Sequence, residues 1–446
     1  MASFIERPRY TCALGGAFGT ITALPRVIPI LHAARGCAGN IAWTQNGGSG
    51  LQVGGYCGGL SVPSSNVHER EVVFGGADRL REQIRNTLKV IDGDLYFVIT
   101  GCVTEMIGDD VKAVINDFRS EGINIIHAET GGFKGNSYYG YDLVLQSLFR
   151  EVVRPAAGPV RGQVNLWGIV PFMDVFWRGN LELLRALLED LGLTVNTFFT
   201  AADSLDALQQ AAAAELNLVV SPLHGVEAAQ VFEEIHHTPY LIAAPPIGPA
   251  ATQSWLRQVG EALALDTAAI DRVISREEHR YYHYLETLTD CYNDLDLQRY
   301  AIVIGDANYT VSLTRFLADD LGWLPELAVC TDQLTEDEKL QVSGVLDALE
   351  SGLTPKLVFE TDTSEIIRHF KSHWPENHGQ KYYHSFSPAF VLGSSLDREL
   401  AQGLGAAHLS VSFPVANRAV IDRGYTGYQG GLRLIEDLLS AAVAAR

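Results

Sequence analysis

Leu95-Tyr-Phe-Val-Ile-Thr100-Gly101-Cys102-Val-Thr-Glu105-Met-Ile-Gly108-Asp109-Asp110 opens on an apolar run and breaks at a glycine. An apolar run of this length, stopped by glycine, reads as a strand buried on both faces, as in a parallel sheet. A helix is expected to follow from about Asp109. The same unit recurs along the chain. Asn165–Val170, Leu216–Ser221, Tyr240–Ala243, Ala301–Ile304, Leu327–Cys330, Lys356–Glu360, Phe390–Leu392 and His408–Phe413 carry the strand signal. Between them lie helical patterns such as Leu181–Leu191, Asp203–Glu215 and Asp337–Glu350. Strands alternating with helices imply an α/β fold with parallel sheets covered on both faces. Pro155-Ala-Ala-Gly-Pro159 and the stretch Asp290–Leu297 look like seams. Three doubly wound, Rossmann-like domains are therefore expected: 1–155, 160–290 and 298–446.

Composition narrows the function. The chain has 446 residues, 47% of them hydrophobic and 19% charged, with a formal net charge of −20. That length is too great for one core. No run of lysine or arginine offers the basic face that nucleic acid or an anionic membrane requires, so partners should be proteins or small molecules. The longest apolar stretches are strand-length, and Met1–Tyr10 lacks the apolar core of a secretory signal. A cytoplasmic protein is expected, and its six cysteines are then thiols or metal ligands rather than disulfides. Neither a phosphate-binding Gly-x4-Gly-Lys-Ser/Thr loop nor a Gly-x-Gly-x-x-Gly turn after a strand is present. ATP, if the chemistry needs it, should be handled by another protein.

Three cysteines share a setting. Cys12 precedes Gly15-Gly16, Cys37 follows Gly36, and Cys102 follows Gly101 at a strand end. Nearby glycine lets the backbone approach a bulky group. For Cys102, a strand-to-helix turn would aim amides at the sulfur and favour the thiolate that binds metal. Each alone reads more readily as a small buried hydrophobe. Together they suggest ligands. There is no Cys-x2-Cys pair of the kind zinc sites use. Three is also one short of the four that a simple cubane wants, so a second chain would complete the site across an interface.

Longer segments carry a resemblance. Cys12-Ala-Leu-Gly-Gly-Ala17, Pro29-Ile-Leu-His32-Ala-Ala-Arg35-Gly-Cys37, Glu69-Arg-Glu-Val-Val-Phe74-Gly75-Gly76 and Thr100-Gly-Cys102-Val-Thr-Glu-Met-Ile-Gly-Asp-Asp110 are four of them. Ser412-Phe-Pro-Val415 and Gly424-Tyr-Thr-Gly-Tyr-Gln-Gly-Gly431 complete the set. With these the chain resembles, over nearly its whole length, the β-type subunit of component 1 of the nitrogenase superfamily. The form of the Cys12 segment, with Ile28-Pro29-Ile30 ahead of His32, looks most similar to nitrogenase-like methylthio-alkane reductases, which cleave carbon–sulfur bonds in small thioethers.

The resemblance implies that Cys12, Cys37 and Cys102 hold half of a P-type [8Fe-7S] iron–sulfur cluster shared with an α-type subunit, in an α2β2 heterotetramer. It implies an ATP-dependent reductase with its own [4Fe-4S] cluster as electron donor. A larger iron–sulfur catalytic cofactor belongs to the α-type subunit, so this chain would carry no catalytic residue. Dinitrogen reduction and a cofactor-assembly scaffold are the alternatives within the superfamily, and a plain α/β ligand-binding protein is the alternative outside it. One departure concerns Glu129-Thr-Gly-Gly132-Phe133, where family β-subunits often have a serine that binds the oxidised cluster. Gly132 stands in its place.

Other groups invite a reading. Cys57, among glycines, is expected to be a structural loop thiol, and Cys291 and Cys330 to pack. His279 and His283, one helical turn apart, suit an interface helix with tyrosines better than a metal. His32 is expected to be a hydrogen-bonded neighbour of the Cys37 site. Arg35 is expected either to stabilise an anionic cluster or to pair with the partner subunit.

Overall fold

The computed structural model describes residues 5–52, 61–294, 300–347, 349–373 and 390–445. Three parallel sheets organise them. The first joins β1 (Val27–His32), β2 (Leu95–Thr100) and β3 (Ile125–Ala128) in that order. Every residue of β2 is buried, as its unbroken apolar run requires. The second sheet contains β4 (Val160–Trp167), β5 (Thr194–Asn196), β6 (Ala214–Val219) and β7 (Tyr240–Ile242), ordered β5-β4-β6-β7. The third contains β8 (Tyr300–Gly305), β9 (Leu324–Cys330), β10 (Lys356–Phe359), β11 (Phe390–Gly393) and β12 (Ala407–Ser410), ordered β10-β9-β8-β11-β12.

The parallel α/β architecture is the expected one, with a difference in winding. The second and third sheets reverse direction about their first strand, as doubly wound sheets do. Among the described strands, the first sheet simply runs in chain order. One continuous hydrophobic cluster, from Leu14 to Ala442, threads all three sheets.

One local expectation gains an addition and another needs correction. The helix expected near Asp109 is present, and a short one that the sequence did not show precedes it. Residues Cys102–Met106 form one helix, Gly108 breaks it at φ 74°, and Val111–Ser120 forms a second capped by the Asp110 side chain. The helix expected over Asp203–Glu215 is confined to Leu205–Gln209, with a tight turn over Ala211–Ala213. The rest of that alanine run is drawn towards β6, so tertiary contact overrides its high helix propensity.

Buried polar side chains fasten the second sheet's segments to the third's. Tyr309 donates its hydroxyl hydrogen to Asp174 Oδ1 over 2.9 Å, and Asn180 Nδ2 donates to Asp174 Oδ2 over 2.9 Å. Burial pushes the Asp174 carboxyl up to about 6, although these donors oppose the rise. An acid with a raised native value stabilises the fold below its unfolded value near 3.8, and that contribution is lost as pH climbs through 6. Relative to wild type, Asp174→Asn should therefore gain up to about 3 kcal/mol of stability between pH 4 and 7. Denaturation midpoints at both ends of that range check this, and a constant difference would contradict it.

Candidate iron–sulfur site

Cys12 is pinned from two sides. Upstream, the Arg9 guanidinium is buried against Asp397, with Nη2 to Oδ1 at 2.8 Å. Downstream, Ala13 N–H donates to Gly135 O over 3.0 Å, and Ser137 N–H donates to Thr11 O over 2.8 Å. Cys12 then stands as the N-cap of the helix Ala13–Ala23. That helix crosses Ser137–Glu151 at backbone contact: a Cβ on Gly16 would lie 1.9 Å from Ser137 O, and one on Gly140 2.0 Å from Ala13 O. The glycines there are required by close approach, and they set the position of Cys12.

Cys37 lies in the first turn of the helix Arg35–Gly48, just beyond the end of β1. Burial pushes its thiol up, and the nearby Cys12 and Cys102 sulfurs add to the rise. Cys102 opens the helix Cys102–Met106 directly after Gly101. The His32 carbonyl holds that turn, accepting from Gly101 N–H over 2.9 Å and from the Thr104 hydroxyl over 2.7 Å.

The three cysteines, far apart in sequence, thus meet at the C-terminal end of the first sheet. Gly132 lies between two of them. A Cβ on Gly132 would be 3.4 Å from Cys12 Sγ and 3.3 Å from Cys102 Sγ. Its N–H donates to Cys102 Sγ over 3.1 Å. None of the three helices at the cysteines has a side-chain cap, and the two longer ones have no acidic residue in the first turn. Such helix starts present amides and positive dipole ends to an anionic group. Cys12 and Cys102 are exposed and Cys37 is half-buried. Among the described residues, no three His, Cys, Asp or Glu side chains are gathered tightly enough to hold a single metal ion.

His32 is buried at the end of β1. Its Nε2 is 2.9 Å from Asp109 Oδ2 and its Nδ1 3.0 Å from Ser65 Oγ. Burial holds the ring below its ordinary value, so it is neutral near pH 7. The aspartate needs a donor, which places the proton on Nε2. Asp109 Oδ1 also accepts from Gly76 N–H over 2.7 Å. One histidine thus joins three of the motif-bearing segments, those around Cys37, Gly76 and Cys102. The hydrogen-bonded role expected for His32 is present, and its carbonyl serves Cys102. We expect His32→Leu to cost about 2–3 kcal/mol, since it strands a buried carboxylate. A denaturant titration checks this, and a loss under about 0.5 kcal/mol, typical of a surface change, would contradict it.

Glu105 lies within the Thr100–Asp110 segment with no role read for it, and Lys134 lies outside all the quoted segments. Glu105 Oε1 accepts from Gly131 N–H over 2.6 Å and from the Thr100 hydroxyl. Its Oε2 lies 3.0 Å from Lys134 Nζ, which also pairs with Glu129 at 2.8 Å. The only signal of this in the sequence is glutamate three residues after the cysteine, which by itself says nothing. A cleft of about 710 Å³ opens beside Cys12 and Gly132. In its wall His224 stacks on Tyr138 at 4.1 Å and brings Nε2 to 3.3 Å from Asp332, tying together residues that follow β6 and β9.

The remaining sequence candidates fall elsewhere. Arg35 is exposed and its Nη2 lies 3.1 Å from His68 Nε2. His279 and His283 stack 6.4 Å apart on the exposed side of the helix Thr267–Glu286. Cys330 is buried at the end of β9, as expected. Cys57 lies outside the described residues, as does the side chain of Cys291.

Comparison with known proteins bears on the family of the whole chain. Residues 12–442 match the family model described as nitrogenase component 1 type oxidoreductase. The chain is 24% identical to the nitrogenase molybdenum-iron protein beta chain of Sinorhizobium fredii, covering 98% of this chain and 83% of that one. It is 22% identical to the beta chain of Azotobacter vinelandii, with 97% and 83% covered. A shorter match, 27% identical over 48% of this chain and 43% of its relative, is to the nitrogenase iron-molybdenum cofactor biosynthesis protein NifE of Methanococcus maripaludis. A solved structure described as nitrogenase Cp1 at pH 6.5 superposes with a TM-score of 0.81 at 18% identity, covering 100% of this chain and 94% of that one. By its matched length, the chain belongs to the nitrogenase component 1 type oxidoreductase family.

Proposed function

We propose that this chain is the β-type subunit of a nitrogenase-like, two-component reductase, with Cys12, Cys37 and Cys102 holding half of a P-type [8Fe-7S] cluster. The other half falls to an α-type subunit, within an α2β2 assembly. The observation that carries this reading is the gathering of three cysteines at three helix starts without side-chain caps, open on one side. A single ion sits about 2.3 Å from each sulfur, as zinc does, whereas a multi-iron cluster bridges wider gaps. When bound, such a cluster takes up and passes on electrons. The chain's own part is to orient the sulfurs, donate the Gly132 amide and leave an exposed rim for the partner. Met106, Phe74 and Phe133 are 77%, 82% and 61% exposed, and they suit burial against other subunits.

For the substrate, carbon–sulfur bond reduction of methylthio-alkanes is the preferred reading, on the form of the Cys12 and Ile28-Pro29-Ile30 segments. Electrons would come from an ATP-dependent [4Fe-4S] reductase, and substrate chemistry would take place on a larger iron–sulfur cofactor in the α-type subunit. The match to NifE favours a second reading, a scaffold that builds and transfers clusters. Anaerobic co-purification with the partner, followed by turnover with a small thioether or dinitrogen and the reductase, separates them. Release of thiol and hydrocarbon supports the first reading. Ammonia makes the assembly a nitrogenase. Iron that leaves only for an acceptor apoprotein, without turnover, makes it a scaffold.

A further inference from the structure

We infer that Glu105 is a positioning residue that sets the reduction potential of the group held by Cys102, an inference that rests on the cysteine-ligand reading above. Glu105 touches no cysteine. It acts through the peptide after Thr130. One carboxylate oxygen takes the Gly131 N–H at 2.6 Å, and the next amide, Gly132 N–H, donates to Cys102 Sγ at 3.1 Å. The side chain is held from three directions, by Thr100 at the end of β2, by Gly131 and by Lys134. It is nearly buried, with 10% of the side chain exposed. There is no slack on the loop side: a Cβ on Gly131 would lie 3.0 Å from the Glu105 carboxylate. The carboxylate therefore fixes where the loop's amides point.

Hydrogen bonds to cluster sulfurs stabilise the more reduced, more negative state and raise the potential. Glu105 contributes a second, opposite effect, because a nearby negative charge lowers the potential. The two effects separate by substitution. Glu105→Asp keeps the charge and withdraws the carboxylate from Gly131, loosening the Gly132 amide. Glu105→Gln keeps an acceptor oxygen at the same reach and removes the charge.

The test is a redox titration of the anaerobically purified complex, monitored by electron paramagnetic resonance, with iron measured on each sample. The positioning role predicts a shift to more negative potential in E105D and to more positive potential in E105Q, with iron content unchanged. An unmoved E105D potential, or shifts of the same sign in both variants, would overturn it. Iron lost from either variant makes Glu105 a structural support of the site rather than a residue that sets its potential, and overturns it. Cys102→Ala prepared alongside guards the underlying assignment. Full iron in that variant would sink the ligand reading itself, whatever Glu105 does.

Discussion

Replacing Cys102 with alanine is expected to strip the shared cluster from the complex and abolish electron transfer to substrate. The sulfur cannot be substituted locally. The Gly132 amide beside it is a donor, and Glu105, which reaches that loop through Gly131, is committed to Gly131, Thr100 and Lys134. No other cysteine is seen to take its place among the described residues, since Cys330 is buried at the end of β9. The fold itself should survive, because Cys102 is exposed and contributes little packing. Iron analysis beside a thermal melt separates the two: iron falls while the melting temperature of the chain holds. A variant with full iron and full turnover would exclude Cys102 as a ligand.

The second large effect is expected at Gly140, where two helices cross next to Cys12. A Cβ there would meet Ala13 O at 2.0 Å and Ala17 N at 2.9 Å, both backbone atoms that cannot rotate away. Gly140→Val must push the helix Ala13–Ala23 off Ser137–Glu151, at a cost of about 3 kcal/mol or more, the upper range for overpacking. Because Cys12 caps the displaced helix, iron binding should weaken together with stability. Urea denaturation and iron content of Gly140→Val check both. Wild-type values for either would mean that the two helices are not locked at this crossing.

Val27–His32, interrupted by Pro29, and the four-residue Ile125–Ala128 were not read as strands, whereas burial on both faces writes the unbroken apolar runs that made strands such as Leu95–Thr100 and Ala301–Ile304 legible. The helix starting at Cys102 was not, because Gly101 caps it without a side chain and Gly108 separates it from the longer helix Val111–Ser120. The cysteines announced themselves through their glycines. Their supports did not. Glu105 reaches Gly131, 26 residues away, and His32 reaches Asp109, 77 residues away. A pairing across such distances exists only once β1, β2 and β3 have aligned, and nothing local in the sequence encodes it. Lys134 was hidden for the same reason, since a lysine in a loop reads as solvated until its two carboxylates are in place.

The claim that everything else depends on is that Cys12, Cys37 and Cys102 hold iron together. The direct measurement is iron and acid-labile sulfide in the anaerobically purified complex, wild type beside the triple variant with all three cysteines changed to alanine. The account predicts that the triple variant still assembles with its partner but lacks a whole multi-iron cluster's worth of iron and sulfide. Equal iron and sulfide in the two preparations would contradict it.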